Sequence, residues 1–114
     1  MRKIALLAVP QPALKRLMLY EDEHGAYLFG YNTLEDAGCL WDEWFETAAA
    51  AEAEAQARYH LAPAAWQTIT DPLPECQHDW ISPVRVVGRS AGHPQWGKLE
   101  ILTDGQWEPV RLTS

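Results

Sequence analysis

The sequence is poor in cysteine. Cys39 and Cys76 are the only two thiols among 114 residues, too few for a framework of disulfides. We therefore expect two reduced thiols and a cytoplasmic protein, with a single bridge between them as the alternative. At this length the chain can bury enough surface to fold without a metal or a disulfide, so we expect one domain over residues 1–114.

Long apolar runs are also missing. No stretch approaches the roughly 20 apolar residues that a transmembrane helix needs, and we expect no membrane partner. The basic start and the apolar residues 4–9 resemble a signal peptide, but the run is short and no cleavage site follows it. Residues 1–13 are instead interpreted as an edge strand or a loosely held arm, ended by Pro10 and Pro12.

Basic side chains are scarce, and their scarcity is local. The chain has nine lysines and arginines but sixteen aspartates and glutamates. Residues 33–80 carry ten of the acidic side chains and only one basic side chain. Such a field disfavours nucleic acid and anionic membranes, which bind through Lys and Arg. It favours a basic protein partner, because opposite charge steers the encounter. The alternative is that the acidic surface serves solubility alone.

The middle of the chain joins an aromatic cluster to an alanine-rich segment. Residues 48–60 are mostly Ala, Glu, Gln and Arg, which predict a helix, and the hydroxyl of Thr47 is suited to cap it. The aromatic residues within 40–46 favour a strand instead. A single helix over 34–60 is the alternative, and Gly38 counts against it.

Turn signals place the remaining strands. Residues 22–25 and the Asp104-Gly105 pair predict hairpins over 14–31 and 98–112. The resulting order predicts an α+β fold, with a mostly antiparallel sheet of about five to six strands and one main helix over about 48–60 packed on it. An alanine face contributes little area, so tryptophans of the sheet are expected to fill the contact.

Two stretches, residues 33–47 and 71–89, resemble a set of short bacterial proteins of unknown function. The resemblance covers about residues 15–89. It implies no activity, cofactor or site residue, because those proteins have no known function to carry over.

One loop holds the best candidates for chemistry. Cys76, His78 and Asp79 place a thiol, an imidazole and a carboxylate within four residues, which suggests a metal site or a reactive thiol. The paired Cys spacing of zinc sites is missing, and a zinc site here would have to recruit ligands from distant segments: Cys39 and either His60 or His93. We therefore expect no cofactor, and keep a metal-binding or thiol-dependent protein centred on residues 71–79 as the alternative function.

A contact surface is the leading hypothesis. Tryptophan is enriched in protein interfaces, and the candidates for binding a partner are two tryptophans near loops and three carboxylates among aromatics: Trp96, Trp107, Asp42, Glu43 and Glu46. We expect a small, acidic, non-enzymatic binding protein of a regulatory or toxin-neutralising type. A homo-oligomer that buries the alanine-rich helix face against its twin is a further kind of partner to test.

Overall fold

The computed structural model describes residues 1–11, 14–89 and 91–110. The chain divides into two compact units, Met1–Asp71 and Pro72–Ser114. The first unit holds a five-stranded antiparallel sheet and a helix, and the second holds a three-stranded antiparallel sheet. This confirms the α+β fold, with the difference that strands of the second half form a sheet of their own. Among the described residues, no helix is long and apolar enough to cross a membrane.

The sheet of the first unit is built around the predicted hairpin. Its strands are β1 (Arg2–Gln11), β2 (Leu14–Asp22), β3 (Gly25–Tyr31), β4 (Trp41–Phe45) and β5 (Gln67–Ile69), in the order β4-β3-β2-β1-β5. Strand β1 pairs with β2 on one side and, over Arg2–Ile4, with β5 on the other. That part of β1 therefore lies inside the sheet, which corrects the expected edge strand or loose arm over residues 1–13. Pro12 and Ala13 lie outside the described residues.

The middle of the chain forms a strand and a separate helix, as predicted. The alternative of one long helix over residues 34–60 is therefore wrong. Helix α1 spans Ala48–Tyr59, and the Thr47 hydroxyl accepts a hydrogen bond from the Ala50 N–H at 3.1 Å, as expected. The helix ends at His60, which has a left-handed backbone (φ 59°) and whose N–H donates to the Gln56 carbonyl. A left-handed residue is a common end of a helix because it turns the chain away from the axis.

Small side chains let the helix approach the sheet closely. Ala51 and Ala55 are fully buried, against clusters that include Leu17, Leu19 and Leu28 of β2 and β3. The large rings come from the sheet and its connections, as expected: Trp41, Phe45 and Trp66 pack against these clusters. Trp41 lies over Gly30 of β3, where a Cβ atom would collide with the indole ring.

The second unit contains the other predicted hairpin. Its strands are β6 (Val84–Val86), β7 (Leu99–Thr103) and β8 (Gln106–Pro109), in the order β6-β7-β8. Asp104 and Gly105 form the turn between β7 and β8 with φ values of 50° and 81°. Positive φ at both positions is the conformation that a two-residue hairpin loop of this kind requires.

Candidate functional site

The sheet face opposite α1 carries a row of aromatic rings across three strands. Tyr20 of β2 pairs with Tyr27 of β3, and Tyr27 pairs with Trp44 of β4. The Tyr20 and Tyr27 rings are stacked, with centroids 6.4 Å apart and planes inclined by 19°. Phe29 extends the stack, its centroid lying 6.3 Å from that of Tyr27. Because paired residues of neighbouring strands share a face, these rings form one continuous surface.

Trp44 is the exposed end of this row. Its side chain is 52% exposed, although the ring is held in place. Its indole Nε1–H donates to the His24 carbonyl at 3.2 Å. The ring also covers Gly25, where a Cβ atom would lie 2.5 Å from Nε1. A large ring with one side packed and the other open is a preorganised contact, since little side-chain entropy remains to be lost on binding.

Carboxylates accompany the open ring. Asp42 lies two residues before Trp44 and is exposed on the same side of β4, because side chains alternate along a strand. Glu46, just beyond the strand, is also exposed. We call Tyr20, Tyr27, Trp44, Asp42 and Glu46 the aromatic-acidic face.

Glu43 points to the other side of β4. Its carboxylate accepts from Arg58 Nη1 at 3.2 Å, and the same guanidinium donates from Nη2 to Glu54 at 2.7 Å. The structure therefore places two of the three predicted carboxylates beside Trp44 and assigns the third to an ion pair with the helix.

The phenol at the inner end of the row is held neutral. Burial raises the pKa of Tyr20, and the nearby carboxylates of Asp22 and Asp71 raise this pKa further by repelling a phenolate charge. The row is consequently an uncharged aromatic surface with negative charge around it. That arrangement suits a cation better than an anion, because the face of an aromatic ring is itself electronegative.

The two tryptophans expected at a contact surface differ. Trp96 of the second unit is 74% exposed. Trp107 is half-buried, and Arg85 Cζ lies 3.7 Å from the centre of its ring. Arg85 also donates from Nε to Glu100 at 2.7 Å. One face of the Trp107 ring is thus already occupied by a cation of the chain itself.

The three predicted metal ligands differ in burial. Cys76 is buried, Asp79 is half-buried and His78 is exposed. Across residues 1–11, 14–89 and 91–110, no group of three or more His, Cys, Asp or Glu side chains is arranged to hold a metal ion. The geometry therefore gives no support to metal binding by the loop over residues 71–79.

The outer side of the helix carries a shallow cleft. It has a volume of about 200 Å³, and Ala49, Ala53, Glu52 and Trp66 are among its lining residues. Glu52 is paired with Lys3 at 3.0 Å. Ala51 and Ala55 are buried between the helix and the sheet. A homo-oligomer through alanine would therefore have to use the exposed alanines of the helix: Ala49, Ala50, Ala53 and Ala57.

Comparison with known proteins gives no further guide: no protein-family model, no curated protein and no solved structure matches this chain. The resemblance to short bacterial proteins of unknown function stays a prediction.

Proposed function

We propose that this protein is a small, non-enzymatic binding protein that holds a basic protein partner on its aromatic-acidic face. The observation that carries the proposal is Trp44, a fixed indole ring more than half exposed beside Asp42 and Glu46. A Lys or Arg side chain laid on this ring would gain a cation–π contact and meet a carboxylate at the same time. Such a surface fits a regulatory or toxin-neutralising protein, which acts by occupying its partner.

The second unit contains the same chemistry within the chain. There, Arg85 lies on the Trp107 ring and pairs with Glu100 of the neighbouring strand. A tryptophan with an adjacent carboxylate is thus already a binding site for an arginine in this sequence. Trp44 has the ring and the carboxylates, and we propose that the partner supplies the cation.

The charge distribution supports a protein over a nucleic acid. Residues 33–80, which include β4 and α1, hold the whole acidic excess of the chain. Neutralising phosphates requires Lys and Arg, whereas a basic protein surface would be attracted and its association accelerated. We place the protein in the cytoplasm on the argument from its low cysteine content.

Capture followed by affinity measurement tests the proposal. Tagged protein would be used to isolate partners from the native cell at low salt, and each purified partner would be titrated by calorimetry. The double variant Asp42→Lys/Glu46→Lys is expected to weaken binding by about tenfold or more, since reversed charges oppose a basic surface. Glu75→Lys/Glu108→Lys, which makes the same charge change at exposed sites of the second unit, should bind like the unaltered protein.

The tryptophan contribution is separable from the charge. Trp44→Leu keeps an apolar side chain but removes the ring face, and we expect a loss of about 1–3 kcal/mol of binding free energy. Trp96→Leu is the matched control, because that ring is exposed in the second unit. A loss confined to Trp96→Leu would move the contact surface to the second unit. Failure to capture any partner, or association that ignores salt, would contradict the proposal.

A further inference from the structure

A buried arginine with an unused hydrogen-bonding edge lies on β2, at the end of the sheet face away from Trp44. Arg16 is only 3% exposed. Its Nη1 lies 3.5 Å from the Leu34 carbonyl, at the limit of a hydrogen bond. Nε and Nη2 make no hydrogen bond with any of the described residues. Nε and Nη2 lie on the same edge of the planar guanidinium, and this pair of donors, the Arg16 fork, can bind both oxygens of one carboxylate.

Leaving the Nε and Nη2 donors of Arg16 without acceptors destabilises the folded protein. An arginine keeps its charge in proteins, and a buried charged group without partners strongly destabilises the folded state. The other buried arginine of the first unit shows the contrast, because Arg2 Nε donates to the Thr70 carbonyl at 2.7 Å. Arg16 is moreover fixed: its Cζ lies 4.2 Å from the centre of the Tyr31 ring. The unused edge is therefore held in a defined orientation.

Two neighbours of Arg16 are exposed to solvent. Leu6 is the cross-strand partner of Arg16 on β1 and is 58% exposed. Leu34, whose carbonyl faces Nη1, is 60% exposed. Two exposed leucines thus neighbour Arg16, one across the strand pair and one in the irregular segment over residues 32–40.

We propose that the Arg16 fork is a binding site for a small carboxylate, held through both of its oxygens. The surroundings select this class of ligand. A monoanion with an apolar end matches one guanidinium beside Leu6, Leu34 and the Tyr31 ring. A phosphate dianion would bring a second charge into the same apolar surroundings, with a larger cost of desolvation. This site is independent of the aromatic-acidic face, and binding at one does not require binding at the other.

Arginine side-chain NMR on the unaltered protein tests the proposal directly. Sodium acetate would replace sodium chloride at constant ionic strength while the Nε–H signals are followed. The Arg16 signal should move downfield and saturate, since the Nε–H gains a charged acceptor. The exposed Arg58 serves as the internal reference and should not show that saturable change. Acetate that leaves the Arg16 signal in place, as when the fork is satisfied by water, would overturn the proposal.

Variants then separate the fork from the charge. Arg16→Lys keeps a positive charge but has no planar fork, and the acetate affinity should fall by about tenfold to a hundredfold, the range expected for a lost bond to a charged group. Lys15→Met, an exposed neighbour on the same strand, should bind acetate like the unaltered protein. Equal responses to acetate and chloride, or tighter binding of phosphate than of acetate, would exclude a carboxylate site. If Arg16→Lys does not fold, the signals of the unaltered protein still decide.

Discussion

The two faces of the five-stranded sheet have opposite characters. The face under α1 is closed by small and aliphatic side chains, with Ala51, Ala55 and Leu28 fully buried. The other face carries the aromatic row, exposed carboxylates and two buried arginines, Arg2 and Arg16. Packing therefore specifies the face under the helix, whereas charges and hydrogen bonds specify the other face. Stability should therefore respond to volume on the first face and to ionisation on the second.

The largest effect is expected under the helix. Ala51→Leu adds three carbons where the helix contacts Leu19 and Ala26, and it should lower the free energy of unfolding by about 1–3 kcal/mol because the helix must move away. Urea unfolding followed by circular dichroism measures this. Ala50→Leu makes the same change at an exposed helix position and should stay within about 0.5 kcal/mol. If both variants lost the same unfolding free energy, close packing under the helix would not be what specifies that face.

A smaller effect is expected where the sheet reaches the helix end. The Glu21 carboxylate accepts a hydrogen bond from the Ala48 N–H at 2.7 Å, so β2 supplies a charged cap to α1. Glu21→Gln should cost about 1 kcal/mol of unfolding free energy, because a carboxylate is favoured at the positive end of a helix. Glu23→Gln, exposed at the hairpin turn, provides the control. If the two variants were equally stable, the hydrogen bond from Ala48 to Glu21 would not contribute to holding the helix in place.

The smallest effect concerns Tyr20 on the aromatic-acidic face. Burial and nearby carboxylates raise its pKa above the ordinary value of 10.0. The folded state therefore favours the neutral phenol. This contribution is fully present below the ordinary pKa and is lost as pH rises through the folded one. As the pH rises through and above 10.0, the unaltered protein should lose more stability than Tyr20→Phe in urea unfolding. If the unfolding free energy of both proteins fell equally with pH, ionisation of Tyr20 would not affect the stability of this face.

Much of the fold follows from local sequence. Thr47 caps the helix because its hydroxyl accepts a hydrogen bond from the free N–H three residues later, and this depends on neighbouring residues alone. The Asp104-Gly105 turn follows in the same way from backbone conformation. The candidate site is harder to predict. Asp42 and Glu46 could be assigned to one side of a strand by alternation, but the importance of Trp44 depends on which strand lies beside it.

By itself the sequence determined the bounds of the helix, the two hairpin turns and the acidic middle of the chain, because these depend on residues close together or on composition. The tertiary structure alone decided that Trp44 remains open while Trp41 is packed over Gly30, and that Arg16 is buried. It also decided that Glu21 caps a helix 27 residues away. These outcomes depend on strand order and register, which bring distant residues together and which no local pattern specifies.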